Sequence, residues 1–287
     1  MLPRMALLRI ENADGLVDPV VITALDGWVD AGSAATTAAG HVGADGTPVA
    51  TFDDDRLYDY RARRPTLDIV NGRPATLTWP ELVARRAKLG ERDIVVLTGP
   101  EPDFHWRELA GAAVELAERL GVAEWISLGA IPAAVPHTRS VPILGTESAP
   151  GLLRADVAAG PDGILRVPAA AISILDHAIA RAGIPAVGYF AQVPHYVTGA
   201  YVPAAVALLR VLGLHLGQEV EPGPLRDESR HVLERLDVAT AADEGTRTYV
   251  ERLESTVDEA RRPSGDDLIS EIERFLRESG PEGGRTA

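Results

Sequence analysis

The stretch GWVDAGSAATTAAG, residues 27–40, follows the apolar run VVITAL (20–25) after a single residue, Asp26. The run is typical of a buried strand, and the small residues after the turn are typical of a closely packed helix. The stretch therefore predicts a strand, a tight turn and the start of a helix. Because the turn also carries Asp30 and Ser33, it is either a working site or a well-packed corner of an α/β core.

The composition is that of a folded protein and disfavours two classes of partner. Of the 287 residues, 46% are hydrophobic and 24% are charged. The net charge of -14 would repel a nucleic acid. The longest apolar stretch, 202–217, contains Arg210 and His215 and falls short of the roughly 20 apolar residues of a membrane span. The N-terminus has no apolar segment or cleavage site of a signal peptide, so we expect a cytoplasmic protein without membrane contact.

The residue inventory also excludes several kinds of chemistry. The absence of cysteine excludes thiol nucleophiles, disulfides and cysteine zinc sites. The sole lysine, Lys88, is expected to lie exposed at a helix end, and no phosphate-binding or dinucleotide-binding motif occurs. Ser127 lacks the preceding glycine of a nucleophile elbow and is interpreted as a strand-end residue. Asp53, Asp54 and Asp55 are disfavoured as metal ligands because adjacent carboxylates on an extended chain point different ways. We therefore predict no cofactor and no metal.

Strand-like and helix-like segments alternate along the first three quarters of the chain. Helical patterns are predicted over 79–90, 106–121, 168–183 and 201–217, the first of them from Pro80 at its start and glycine at its end. This alternation predicts a largely parallel sheet covered by helices, in one α/β domain over residues 1–218. The strand-like runs are 5–10, 20–25, 47–52, 93–98, 124–129 and 185–193.

The composition changes beyond this point, and a second region, 219–287, is predicted to be acidic and helical. From residue 221 onward 27 of 67 residues are charged, against 43 of the preceding 220. Tyr249, Val250, Leu253 and Val257 form a narrow apolar stripe, and a capping box at Ser264 and Asp267 begins a further amphipathic helix. The region is either a helical appendage folded onto its own core or a helix offered to a neighbouring subunit or partner.

Four segments leave an apolar strand and enter a polar turn, namely 25–33, 98–106, 129–140 and 192–201. Ligands of open α/β sheets gather at the carboxyl ends of strands, so we expect these turns to form one rim. The candidate residues of this rim, for a pocket or an interface, are Asp26, Trp28, Asp30, Ser33, Glu101, His105, His137, Thr138, Arg139, His195 and Tyr196.

Each of these groups has a functional and a structural interpretation. Thr138 and Arg139 would together hold an anion, or the arginine would pair with an aspartate across a subunit contact. His137 and His195 are candidate bases or hydrogen-bonded structural residues. Ser33 and the amides of its turn would cap a helix and bind an anion, but Asp30 would repel that anion. The acids and arginines of 53–65 predict a salt-bridged loop or an interface.

Five segments in order, GWVDAGSAA, YDYRARRP, GPEPDFHWRELA, LGAIPAAVPHTR and VPHYV, resemble the proteasome assembly chaperone 2 family in its bacterial form. The resemblance covers about residues 5–216. It implies a core similar to purine nucleoside phosphorylases, with a mixed sheet flanked by helices (phosphorylase/hydrolase-like), and a tendency toward homotrimers. It implies no established enzymatic activity, and relatives elsewhere help proteasome α-subunits assemble.

The C-terminus departs from one pattern of that family. Archaeal relatives dock onto the proteasome with a C-terminal hydrophobic-tyrosine-any tripeptide, whereas this chain ends in Arg285-Thr286-Ala287, so docking of that kind is not expected. The hypothesis is therefore a non-catalytic oligomeric assembly factor or binding protein, with itself and proteasome subunits as partners. The alternative is a phosphorylase-like enzyme or a sensor that binds a small anionic or nucleoside-like ligand, with Arg139 on the anion and Asp30 or His137 moving a proton.

Overall fold

The computed structural model describes residues 6–260 except 155, 156, 158, 161 and 162. The helix predicted from Ser264 and the C-terminal tripeptide lie outside the described residues. The helices are α1 (Ala34–Val42), α2 (Asp54–Leu57), α3 (Trp106–Leu120), α4 (Ala171–Arg181), α5 (Val202–Leu216), α6 (Leu225–Ala242) and α7 (Glu244–Ala260). The strands are β1 (Leu8–Ile10), β2 (Val20–Asp26), β3 (Thr47–Phe52), β4 (Thr66–Val70), β5 (Arg73–Thr78), β6 (Val83–Leu89), β7 (Arg92–Pro100), β8 (Glu124–Ala133), β9 (Ile143–Glu147) and β10 (Ala186–Pro194).

Eight of these strands form one sheet in the order β1-β3-β6-β7-β2-β8-β10-β9. The four adjacent strands β7, β2, β8 and β10 run parallel, and the strands on either side of them pair antiparallel. This arrangement confirms the predicted α/β fold with a mixed, largely parallel sheet. The six predicted strands and the helices at 106–121, 168–183 and 201–217 are all present.

Helices cover both faces of the sheet because its central strands are apolar on both sides. Along β7, Val95 and Leu97 join one core cluster with α3 and α4, while Ile94 and Val96 join the other with α1 and α5. Every second residue thus points to the same layer, as the pleat of a strand requires.

The turn between β2 and α1 is the predicted strand–turn–helix corner. Ala34, Ala35, Ala38 and Ala39 of α1 are fully buried, which lets the helix lie close to α5 and the sheet. Gly32 has a φ of 63°, and a Cβ there would lie 2.7 Å from the Cβ of Tyr201. Only glycine fits this position, because any other residue would have a strained backbone at this φ and a Cβ that clashes with Tyr201.

The helix predicted over 79–90 is wrong, since residues 83–89 form the strand β6 between β3 and β7. Leu89 pairs with Arg92 across a two-residue turn. Gly90, with a φ of 58°, serves this hairpin turn and not a helix end. Lys88 accordingly lies on a strand, where its ammonium is 3.5 Å from a carboxylate oxygen of Asp93. Pairing on both sides overrides the high helix propensity of the segment.

The described residues from 225 to 260 are helical apart from Asp243, as predicted for the C-terminal region. The chain divides into two compact units, residues 1–238 and 239–287. A separate helical region that begins at residue 219 stays a prediction. In the second unit, Thr246 donates its amide to the Asp243 carboxylate at 2.7 Å. The apolar stripe predicted from Tyr249 lies on α7, with Val250 and Leu253 buried. Within the described part of the chain, no helix is long and apolar enough to cross a membrane.

Candidate functional site

The predicted site residues lie on the loops that follow β2, β7, β8 and β10. Because these four strands are parallel neighbours, their carboxyl ends share one edge of the sheet. We call the loops at this edge the rim. It comprises residues 26–33, 100–105, 134–140 and 195–201.

Asp30 is the buried carboxylate of the rim and caps α1. It is 6% exposed and accepts hydrogen bonds from the amides of Ala35, at 2.8 Å, and Thr36, at 3.3 Å. The Thr36 hydroxyl donates to its other oxygen. Burial raises the pKa of Asp30, while these three hydrogen bonds oppose the shift. Ser33 lies at the start of the helix, and its exposed side chain makes no capping hydrogen bond. Asp30 therefore caps the helix, which is the role predicted for Ser33.

Glu101 ties the turn after β2 to the start of α4. Its carboxylate accepts the amide of Trp28 at 3.2 Å and that of Ala171 at 2.7 Å, and its own amide donates to the Asp26 carbonyl at 2.7 Å. Gly27 is required beside it, because a Cβ there would lie 2.6 Å from the Glu101 Cβ. The Trp28 side chain remains 69% exposed. Asp26, Trp28 and Glu101 thus form one connected group.

His137 lies in a hydrogen-bonded chain that connects the loop after β8 to α6. Its backbone amide and its Nδ1 lie 2.8 Å and 2.7 Å from the Tyr196 hydroxyl, and its Nε2 lies 3.2 Å from Asp237. The Asp237 carboxylate only accepts, so in the neutral imidazole Nε2 carries the proton and Nδ1 accepts from the tyrosine. Both ring nitrogens of this buried histidine are therefore engaged within the protein.

A second chain of the same type lies away from the rim. The amide of Arg154 donates to the Tyr189 hydroxyl at 3.2 Å, and that hydroxyl is 2.7 Å from Nδ1 of His215. Nε2 of His215 lies 3.0 Å from Glu124, at the start of β8. Because this chain holds α5 against the sheet at the opposite edge from the rim, the shared geometry indicates that His137 is also a structural residue.

The remaining rim residues surround His137 and Tyr196. Arg139 donates to the Thr138 carbonyl at 3.3 Å, and Thr138 is exposed. His195 is exposed and its Nδ1 lies 3.0 Å from the Ala133 carbonyl. The rings of His195 and Tyr196 meet edge to face at 5.8 Å. The structure therefore brings together the five predicted residues of the loops after β8 and β10.

His105 lies apart from that group, at the start of α3. It has a φ of 59°, and its Nδ1 is 3.7 Å from Glu108 of the same helix. The neighbouring segment 53–65 is salt-bridged, as one of its two interpretations predicts, but its partners lie outside the segment: Arg56 pairs with Glu108 and Arg63 with Asp103.

The sequence interpretation missed a half-buried acid, Asp176 on α4. Ser127 lies within β8, not at its end, and its fully buried hydroxyl donates to the Asp176 carboxylate. Burial raises the pKa of Asp176 to about 7, although Ser127 and the nearby indole of Trp125 favour the charged form. The signal in the sequence is a lone acid at helical spacing from the apolar Ile172 and Ile179.

Carboxylates of the segment 53–55 line a separate cavity of about 670 Å³ together with Arg9, Tyr60 and Trp79. Asp54 accepts the Leu82 amide at 3.0 Å, and burial, with the neighbouring acids, raises its pKa to about 6. Across the residues that the structure describes, no group of three or more histidines and acids is arranged to hold a metal ion.

Together these features define a class of protein: an α/β fold with a mixed eight-stranded sheet and a rim whose polar side chains bond mainly to the protein itself. Family comparison makes the class specific, since the model of the PAC2 family matches residues 24–239. The chain belongs to the PAC2 family. This confirms the resemblance found in its motifs.

Solved structures of bacterial relatives agree with this assignment. A proteasome-assembly chaperone homologue of Mycobacterium tuberculosis is 32% identical, with 80% of this chain and 99% of that chain covered and a TM-score of 0.73. A PAC2 family protein of Streptomyces avermitilis is 34% identical, with coverages of 81% and 100% and a TM-score of 0.72. A Mycobacterium tuberculosis protein of unknown function is 30% identical, with coverages of 95% and 93% and a TM-score of 0.81. No curated protein matches the chain.

Proposed function

We propose that this chain is a non-catalytic, self-associating binding protein that assists the assembly of a protein complex, with proteasome subunits as its partners. The observation that carries the proposal is the similarity along the whole of the mycobacterial proteasome-assembly chaperone homologue. On the family resemblance, the proposal extends to a homotrimer that acts in the cytoplasm.

The geometry of the rim supports a binding role over an enzymatic one. The Asp30 carboxylate is hydrogen-bonded to the first turn of α1, and the two ring nitrogens of His137 are hydrogen-bonded to Tyr196 and Asp237. A general acid or base must reach a substrate atom at about 3 Å, which these groups do only by breaking internal bonds. The phosphorylase-like alternative is therefore not favoured.

Two exposed aromatic side chains on the rim suit it to binding another protein. Trp28 is 69% exposed after β2, and Phe104 is 48% exposed after the neighbouring strand β7. Exposed aromatics on a surface are typical of binding hot spots. We assign Trp28 and Phe104 to the contact with the partner protein.

The test is affinity purification of the tagged protein from extracts of its native cell, with quantitative mass spectrometry of the co-purifying proteins. We expect proteasome subunits in stoichiometric amounts, and their loss with Trp28→Ala and Phe104→Ala together. Val17→Ala is the matched control, since Val17 is 70% exposed and precedes β2 at the opposite edge of the sheet. Recovery of a retained small molecule without a protein partner would contradict the proposal and favour the enzyme or sensor.

A further inference from the structure

The hairpin formed by β4 and β5 projects from the fold without cover on either face. It forms a two-stranded sheet of its own, and every residue from Thr66 to Thr78 is exposed. Asn71 and Gly72 at its tip have φ angles of 53° and 77°, which are the values of a type I′ turn. We call residues 60–79 the ribbon. An isolated two-stranded hairpin is marginally stable in water, so the ribbon requires a surface to pack against.

One face of the ribbon is apolar. Leu67 lies directly opposite Leu77, and Ile69 lies opposite Pro74. Side chains in such pairs share a face, and residues two apart on a strand do as well. At the base, Trp79 packs edge to face against Tyr60, with ring centroids 4.8 Å apart. The result is a continuous apolar face on a segment that touches the core only at its base, where Tyr60 packs against the first core cluster.

The charge of the ribbon is opposite to that of the rest of the chain. It contains four arginines and one aspartate, a net charge of +3. Since the whole chain carries -14, the remainder carries -17. Arg63 pairs with Asp103, while Arg61, Arg64 and Arg73 are exposed. An acidic surface is therefore the complementary partner for this segment.

We infer that the ribbon docks onto a second copy of this chain, with its apolar face buried and its arginines on the acidic surface of that copy. A second copy has the required negative charge. Because the exposed ribbon needs a partner at all times, a second copy also suits it: it is present wherever the chain is present. The inference rests on the self-association in the proposed function and names the segment that produces it. The contact is a β-hairpin arm on a folded surface, with the apolar face as its energetic centre.

The first test measures oligomeric state by size-exclusion chromatography with light scattering, over a dilution series. Ile69→Glu and Arg64→Glu together should weaken association by on the order of a hundredfold, so that the single-chain mass of 30.5 kDa appears at higher concentration. The control pairs Val17→Glu with Arg92→Glu, which make the same changes at exposed positions on the opposite edge of the sheet. These controls should associate as the natural chain does.

A second measurement reports on the ribbon without disturbing its chemistry. Since the chain contains no cysteine, Ile69→Cys introduces a unique thiol. We expect alkylation of this thiol by a maleimide to be slow in the oligomer and to accelerate at least tenfold on dilution to single chains. Val17→Cys should react at one rate throughout.

The outcomes separate this inference from the proposed function. An oligomer that withstands both ribbon substitutions, with Cys at position 69 fully reactive, would overturn the ribbon contact and leave self-association intact. A natural chain that stays a single copy at every concentration would overturn both. In either case the expected binding partner of the ribbon becomes a different acidic protein.

Discussion

At the scale of single residues, the most consequential group is the half-buried carboxyl of Asp176. Asp176 lies on α4 and accepts a hydrogen bond from the Ser127 hydroxyl of β8. Burial of a carboxylate with few donors favours its protonated form. Its pKa of about 7, against an ordinary 3.8, makes the stability of the fold depend on pH.

The sign of that dependence follows from proton binding. Between about pH 4 and pH 7 the folded chain retains a proton on Asp176 that the unfolded chain has released. The contribution of this group is therefore most favourable below about pH 4 and is lost as the pH rises through 7. We expect Asp176→Asn to raise the free energy of unfolding relative to the natural chain, by on the order of 2 kcal/mol more at about pH 8 than at about pH 4.5.

Urea unfolding at both pH values measures this difference. Asp68→Asn, on the exposed strand β4, controls for the removal of one negative charge. An Asp176→Asn effect of equal size at the two pH values would show that folding does not raise the pKa of this carboxyl.

Asp30 and Ser33 provide a matched pair in the corner between β2 and α1. Asp30→Ala removes three hydrogen bonds to the first turn of α1, and loss of a helix cap costs about 1 to 2 kcal/mol. Ser33→Ala removes a side chain that makes no capping bond, so we expect a change within about 0.5 kcal/mol. Thermal and urea unfolding of the two variants decide whether Asp30 is a structural cap. Equal stabilities would contradict that role.

At the scale of elements, α6 is held to the rim loops by the Tyr196–His137–Asp237 chain. Tyr196→Phe removes the acceptor of the buried His137 amide and the donor to its Nδ1. An unsatisfied buried amide costs about 1 to 3 kcal/mol, so we expect a loss of stability of that size. Hydrogen exchange should accelerate in residues 134–140 and in the α6 turns before Asp237.

The control for this prediction is another tyrosine whose hydroxyl bonds at the surface. Tyr60 donates to Asp55 in an exposed hydrogen bond, so Tyr60→Phe should change the stability by less than about 0.5 kcal/mol. If both variants behave alike, the chain does not hold α6.

The sequence predicts a helix or strand well where the spacing of its buried apolar residues fits only one of the two. It fails where the neighbouring strands determine the secondary structure. The apolar strands and the helices α3, α4 and α5 carry their own periodicity. Residues 83–89 do not, because alanine, arginine and lysine suit a helix until β3 and β7 pair with the segment. Asn71-Gly72 is a strong hairpin signal, but the flanking strands are exposed and carry no buried pattern, so the apolar periodicity does not predict the ribbon.

The same limit applies to the rim. The ends of the apolar strands predict that the four loops after them lie at one edge of the sheet, and the structure places these loops there. Hydrogen-bond partners distant in sequence decide what a side chain does there. Asp237 lies 100 residues from His137, and Ala171 lies 70 residues from Glu101. No local pattern connects such pairs, so the sequence alone left catalytic and structural interpretations open for His137.

At the scale of the whole molecule, Arg139 distinguishes the assembly factor from the ligand-binding alternative. It lies beside exposed Thr138 on the rim, where it would meet either a carboxylate of another copy or an anionic ligand. We expect Arg139→Ala to weaken self-association about tenfold, as loss of an interface arginine commonly does, and to leave the retention of small anions unchanged. Light scattering over a dilution series measures the first quantity, and calorimetry with inorganic phosphate and a nucleoside measures the second. Lys88→Ala, which removes a positive charge from a strand between β3 and β7, is the control. Intact association with lost phosphate or nucleoside binding would identify the rim as a ligand site and reverse the assignment.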